Sequence, residues 1–254
     1  MTRALVHGAG RMARRVVALL RDYECFELVG LVSRTRTDEI SDVVCFISLD
    51  EVNCPVDLLI DFTLPGGAGL AAKWCEANNV ALLSGTTGLK DEDFEALKRA
   101  SLKVPVLWAP NLSHGVALIT ALVRQAAGAL GAGADISIND IHHRYKLDAP
   151  SGTALALASA AKEGRSKYSQ PLMDKEPPGA LGSNDESGVT FSSVREGEVI
   201  GEHTVSFKMH DELIEISHKA LDRDVFAKGA LQAGEWLVKQ PPGHYSTADW
   251  LGLQ

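Results

Sequence analysis

A chain of 254 residues that is 45% apolar and 23% charged can bury a full core, as one large domain or two smaller ones. Its formal net charge of −8 argues against a surface for phosphate backbones, which needs a basic stripe, so no nucleic-acid partner is expected. Apolar runs such as "ALLSG" and "VPVLWAP" fall short of the roughly 20 residues of a membrane span, and the first residues enter a strand pattern at once, so neither a membrane partner nor a targeting segment is expected.

From residue 3 to about 113, short β-branched runs alternate with helix-like stretches: "ALVHG", "RMARRVVALLRDY", "ELVGLVS", "DLLIDFT", "GAGLAAKWCEANN", "VALLSGT", "DEDFEALKRASLK", "VPVLWAP". This alternation predicts an α/β, Rossmann-type parallel sheet with helices on both faces. Beyond Asn111 the pattern changes. A long apolar helix is predicted over about 115–130, then a strand "ADISINDIHHR", then a helix opening at Pro150-Ser151-Gly152-Thr153. "KEPPGALGSNDESG" reads as a surface loop. "VTFSSVRE", "GEHTVSFKM" and "ELIEISHKA" alternate with period two, as antiparallel strands do, so a second α+β domain is expected. A last helix, "DVFAKGALQAGEWLVK", ends before Pro241-Pro242. Cys25, Cys45, Cys54 and Cys75 have no C-x-x-C spacing and read as reduced, structural thiols, which fits a cytoplasmic setting.

Gly8-Ala9-Gly10-Arg11-Met12-Ala13 follows the first strand and opens the first helix. That is a G-x-G-x-x-A fingerprint in its required context, where glycines let the backbone approach a pyrophosphate at a helix N-terminus; an ordinary tight turn is the alternative. The second strand ends in Ser33, Arg34 and Arg36 rather than an acidic residue. Basic residues there suit a ribose 2′-phosphate, or are simply solvated. Two loops fall at the C-terminal ends of later strands, where open α/β sheets bind ligands: "SGTTG" and "APNLSHG". Thr86, Thr87 and Asn111 can offer hydrogen bonds to a nicotinamide ribose or amide, although small residues are also good turn formers.

The densest chemistry is "IHHRYKLDAPSGTALALA", residues 141–158. If the strand continues through it, His142, Arg144 and Lys146 share one face and His143 and Tyr145 the other. The adjacent histidines then diverge, which argues against a shared metal. Free amides and hydroxyls at Pro150-Ser151-Gly152-Thr153 form an anion site at a helix start, with Ser151 as a plain N-cap the alternative. Cationic and titratable groups before such a start suggest a small carboxylate-bearing substrate, with His142 or Lys146 moving a proton.

"HHRYKLDAPSGTALALA", with "GRM", "DFT", "GTTG", "NLSHG", "GEHTVSF" and "LIEISHKALDR", resembles the 4-hydroxy-tetrahydrodipicolinate reductase (dihydrodipicolinate reductase) family of lysine and diaminopimelate biosynthesis. The resemblance runs through nearly the whole chain. It implies hydride transfer from NADPH or NADH to a cyclic imine dicarboxylate and assembly as a homotetramer. It implies a dinucleotide domain over 1–113 plus 224–254 and a substrate and oligomerisation domain over 114–223. It makes His142 the acid/base and Lys146 the proton donor, and assigns substrate carboxylates to His143, Gly152 and Thr153. For the cofactor it implies Gly8, Ala9, Gly10, Arg11 and Met12, then Ser33 and Arg34, Gly85, Thr86 and Thr87, and Ala109, Pro110, Asn111 and Leu112. The chain departs from the family's G-x-x-G-R-M-G loop, with "GAGRMA" behind His7. Leu112 stands where phenylalanine is common and His114 where an aliphatic residue is common. Rival readings are another two-domain Rossmann oxidoreductase, such as a semialdehyde or amino-acid dehydrogenase, and a non-catalytic nucleotide-sensing relative.

Overall fold

The computed structural model describes residues 1–34, 43–168 and 188–253, and the chain divides into two units, Met1–Ser113 with Asp224–Leu253, and His114–Arg223. Arg36 and most of the "KEPPGALGSNDESG" segment lie outside the described residues.

In the first unit, seven parallel strands form one sheet. They are β1 (Thr2–His7), β2 (Phe26–Val32), β3 (Cys45–Phe46), β4 (Leu58–Asp61), β5 (Ala81–Ser84), β6 (Pro105–Trp108) and, from the end of the chain, β11 (Gly243–Tyr245). The order β11-β6-β5-β4-β1-β2-β3 reverses direction between β1 and β4, the doubly wound arrangement whose crevice opens at the strand C-termini. Successive residues point to opposite faces. Leu58 and Ile60 therefore join a core under α1 (Arg11–Leu20) and α6 (Asp224–Leu237). Leu59 joins the opposite core, under α2 (Gly67–Asn78) and α3 (Asp91–Ala100). With both faces covered, the central strands are apolar throughout rather than alternating, and truncating Leu59, which is fully buried, would cost about 2–5 kcal/mol. α1 buries Ala13, Val16, Val17 and Leu20, the spacing of one helical stripe. α3 starts on Asp91, Glu92 and Asp93 and ends on Lys98 and Arg99, charges that complement its dipole. β3, β11 and α7 (Thr247–Leu251) are elements of two to five residues, too short to carry a hydrophobic period.

The second unit holds α4 (His114–Leu130), β7 (Asp135–His142), α5 (Gly152–Tyr168), β8 (Val189–Arg195), β9 (Glu202–Lys208) and β10 (Leu213–Lys219), with sheet order β10-β9-β7-β8. Its core sets Ile136, Ile138, Val189, Val205 and Phe207 against Val123 of α4 and Ala154, Leu157, Ala158 and Ala161 of α5. The two helices come close because Gly164 has no side chain: a Cβ there would meet the Arg124 carbonyl oxygen at 2.1 Å. His114–Gly133 is apolar and long enough to cross a membrane by length and composition, with mean hydropathy 1.4. In this unit one face of it is buried through Val116, Ile119, Val123 and Ala127.

The structure differs from the sequence expectation in two places. β9 is antiparallel to β7 and β10, but β8 runs parallel to β7, because α5 makes the crossover that a parallel pair requires. An alternating pattern reports half-burial, not the direction of a partner. The strand through "DISINDIHHRYK" stops at His142, where the chain turns, with Lys146 N–H donating to the His143 carbonyl (3.1 Å). Arg144 and Lys146 therefore have no strand face.

Candidate active site

In the nucleotide-fingerprint unit the loop at the sheet's reversal point is built by backbone. Gly8 has φ +107°, a region that side-chain-bearing residues avoid, and a Cβ on it would meet the Phe62 carbonyl oxygen at 2.5 Å. Gly10 precedes α1 with no side-chain cap, and the space a Cβ would fill there is open to 4 Å. A ligand phosphate can thus reach the first amides of α1. Ala13 is fully buried between α1 and the sheet, and Ala9 and Met12 pack on the same core, so those two side chains serve the loop's shape. Arg11 is exposed. After β2 the chain presents Ser33 and an exposed Arg34, with no carboxylate between Val32 and Arg34.

Next to this loop lies a buried carboxylate. Asp61, fully buried at the end of β4, accepts hydrogen bonds from Thr63 Oγ1 (2.8 Å), Ser84 Oγ (2.7 Å) and Thr86 Oγ1 (2.8 Å), and His7 Nδ1 lies 3.1 Å from it. Thr86 Oγ1 also accepts from Thr63 N–H (2.9 Å), and the Thr86 carbonyl accepts from Trp108 Nε1 (2.9 Å). Thr86 is thereby fixed as part of the scaffold, while Thr87 and Gly88 are exposed beside it. In the following loop Ala109 and Leu112 are buried, Pro110 is exposed, and Asn111 Oδ1 accepts from Ser113 N–H (2.9 Å). Ala109 and Leu112 can offer a ligand only their backbone groups. Burial pushes the Cys25 and Cys75 thiols up, the opposite of the activation a catalytic cysteine needs.

The second unit builds its site from charged side chains. Along β7 the inward positions are Ile136, Ile138, Asp140 and His142, so the strand's inner face changes from apolar to polar at its C-terminal end. The register sets Asp140 opposite Ser193 of β8 and His203 of β9, and His142 opposite Arg195. Asp140 is 1% exposed. Its Oδ1 accepts from Arg195 Nη1 (2.5 Å), and its Oδ2 accepts from Ser151 N–H (2.8 Å) and Ser193 Oγ (3.3 Å). Burial alone would raise its pKa, but the guanidinium and the amide hold it below the usual carboxylate range. His142 Nδ1 stands 3.5 Å from Asp140 Oδ1, long for a hydrogen bond. Its ring meets that of His203 edge-on at 5.1 Å. Burial first, and the charge of Lys146 second, lower the His142 pKa against the pull of Asp140. Burial takes His203 further down, to about 4. Both shifts favour the neutral ring.

Ser151 resolves the reading left open by the sequence at the start of α5. Its Oγ accepts from Ala154 N–H (3.2 Å) and lies 3.2 Å from His203 Nε2, so it caps the helix and is itself buried. Gly152, exposed and with open space around its Cβ position, and Thr153 follow as the first helical residues. Lys146 Nζ pairs with Asp148 Oδ1 at 2.9 Å. The half-buried His143 ring lies 6.3 Å from that of Tyr145. Among the described residues no group of three His, Cys, Asp or Glu side chains is arranged to hold a metal ion. Asp140, Ser193, Arg195 and His203 were not singled out by motif. Their signal was parity: each is a polar residue at an inward position of an otherwise apolar half-strand.

A family described as "Dihydrodipicolinate reductase, N-terminus" matches residues 2–112, and "Dihydrodipicolinate reductase, C-terminus" matches residues 115–251. The chain belongs to the dihydrodipicolinate reductase family. Members 38% identical to it are the 4-hydroxy-tetrahydrodipicolinate reductases of Alkalilimnicola ehrlichii, over 98% of both chains, and of Anaeromyxobacter dehalogenans, over 100% of this chain and 99% of the other. Among solved structures, the family's dipicolinate-bound enzyme from Paenisporosarcina sp. TG-14 superposes with a TM-score of 0.75 at 26% identity, over 98% of both chains. The C-terminal family region runs on through α6 and α7, which the structure packs with the parallel sheet.

Proposed function

We propose that this chain reduces 4-hydroxy-tetrahydrodipicolinate to tetrahydrodipicolinate with NADPH or NADH, a step of lysine and diaminopimelate biosynthesis, in the cytoplasm and as a homotetramer. The observation that carries the reading is the polar end of the second unit's sheet, where a buried imidazole at the end of β7, a lysine in the loop that follows and the exposed Gly152 at the start of α5 succeed one another along the chain. The first unit fits a dinucleotide: Gly8 lets the loop pass against the Phe62 carbonyl, and the open space at Gly10 leaves the first amides of α1 accessible. The bound reduced nicotinamide supplies the hydride.

The chain's own residues then have separable tasks. Gly8 through Met12 hold the pyrophosphate on the α1 amides. Arg34 and Ser33 take a 2′-phosphate, so NADPH serves at least as well as NADH. Gly85, Thr87, Asn111 and the Ala109 and Leu112 backbone line the nicotinamide end, on the shelf that Thr86 supports. Gly152 N–H, the Thr153 hydroxyl and His143 hold the substrate carboxylates. Lys146 delivers a proton from Nζ, and His142, whose burial favours the neutral ring, is suited to accept one. Tetramer formation is supported by the outer face of the second unit's sheet, where Ser137, Ser192, Val194 and Leu213 are exposed; the mass in solution checks it. Four free thiols support a reducing compartment.

The test of activity is direct. Purified protein mixed with the product of dihydrodipicolinate synthase should consume the absorbance of NADPH, and then of NADH, at rates proportional to enzyme. No loss with either cofactor would overturn the proposal.

A further inference from the structure

The loop from His143 to Pro150 carries Lys146 yet belongs to no regular element. What holds it comes mainly from the end of β8. Gly197 O accepts from Arg144 N–H (3.3 Å) and from Arg144 Nε (3.4 Å). Arg195 does more. Its Nη1 donates to Asp140 Oδ1 (2.5 Å) and to its neighbour's Val194 O (2.8 Å), and its Nη2 donates to the Asp148 carbonyl oxygen (2.6 Å). One guanidinium therefore ties the strand that precedes the loop to a point near the loop's end. Asp148, whose carbonyl it holds, is the residue whose carboxylate pairs with Lys146. The Arg195 side chain is 16% exposed and its partner Asp140 is 1% exposed, so the Asp140 end of the tie is anchored out of water as a charge-assisted pair, while its bond to the Asp148 carbonyl lies at the surface.

We propose that Arg195 is a positioning residue for catalysis: it fixes the backbone at Asp148 and, through the Asp148 carboxylate, the place of the Lys146 ammonium relative to His142 and the start of α5. This rests on the reductase reading of the same site. Arg195 is not required to touch the substrate. Its planar fork reaches two acceptors on different segments at once, which the single ammonium of lysine cannot reproduce.

The experiment is the steady-state kinetics of Arg195→Lys beside the wild-type enzyme, with the synthase product and NADPH. The lysine keeps a cation opposite Asp140, so the sheet end is expected to fold, and the melting midpoint checks this. Losing the tie to the Asp148 carbonyl removes hydrogen bonds from a charged donor, so kcat is expected to fall about ten- to a hundredfold while the KM for NADPH moves less than about twofold, since the cofactor fingerprint lies in the other unit. Arg195→Ala, assayed with added guanidinium ion, is expected to recover kcat severalfold. Either of two results would overturn the inference: Arg195→Lys turning over within about threefold of wild type, or a rise in substrate KM with kcat unchanged, which would make Arg195 a binding residue. If the wild-type enzyme itself consumed no NADPH, the reductase reading would fall first and this inference with it.

Discussion

Asp61 and Asp140 are both buried carboxylates at strand ends beside a candidate binding loop, and they are satisfied in opposite ways. Asp61 is ringed by the hydroxyls of Thr63, Ser84 and Thr86, with His7 alongside. Asp140 is held chiefly by the Arg195 guanidinium and the Ser151 amide, with a longer bond from the Ser193 hydroxyl. A hydroxyl can turn from donor to acceptor, and a guanidinium or an amide N–H cannot. The first arrangement props up a site made of backbone, and the second fixes a site made of charged side chains. The nucleotide end should therefore tolerate polar substitution and the substrate end should not.

The sharpest contrast is catalytic. Lys146→Ala is expected to lower kcat by about 10²–10⁴-fold, the usual contribution of a general acid, with little change in melting midpoint, because Lys146 lies in a loop and its ion partner among the described residues is the exposed Asp148. A correctly folded variant with near-normal kcat would show that the proton comes from elsewhere.

The two carboxylates can be compared directly as asparagines. Asp140→Asn sets an amide N–H₂ against fixed donors and leaves Arg195 without its counter-charge, a loss of about 3–5 kcal/mol. Asp61→Asn faces hydroxyls and a histidine that can accept instead, a loss of about 0.5–1.5 kcal/mol. Urea unfolding of both variants measures the difference. Equal losses would erase the distinction.

The histidines sharpen it further. The folded-state pKa of His203 is about 4, below an unfolded value near 6.5, so the unfolded chain takes up the proton first. The stability that His203 contributes is present at neutral pH, is lost as pH falls from about 6.5 towards about 4, and levels off below that, a loss of about 3 kcal/mol at most. In His203→Gln, whose amide oxygen can still accept from Ser151, the fall in unfolding free energy between about pH 7 and pH 4.5 should be smaller than in wild type. An identical fall would mean that His203 does not titrate in this way.

The smallest expected effect is at the exposed nucleotide end. Arg34→Ala should raise the KM for NADPH about five- to thirtyfold, as an exposed charge pair is screened by solvent, while the KM for NADH moves little. Equal changes with both cofactors would remove the 2′-phosphate role.

The same contrast governs what could be read from sequence. The Gly8 to Ala13 loop was legible because its demands are local: a positive φ, an open Gly10 and a small residue under the helix fall within six positions. The doubly wound sheet followed from the alternation of buried strands and helices. The loop after β7 stands out in the sequence as a string of charges, but its supports do not, since Arg195 lies 55 residues from Asp140 and His203 lies 52 from Ser151. Only the register of β7 with β8 and β9 brings them into one row. The parallel direction of β8 was missed for a related reason, because α5 decides it and the strand's own pattern does not.

Passage of hydride from the cofactor to this substrate on this chain can be followed by supplying NADPH deuterated on the transferred side of its nicotinamide C4, together with the synthase product, and weighing the tetrahydrodipicolinate that forms. The product should be heavier by a single deuterium, and it should form more slowly with the Lys146→Ala variant. NADPH oxidised without deuterium appearing in the product, or no product at all, would contradict that transfer.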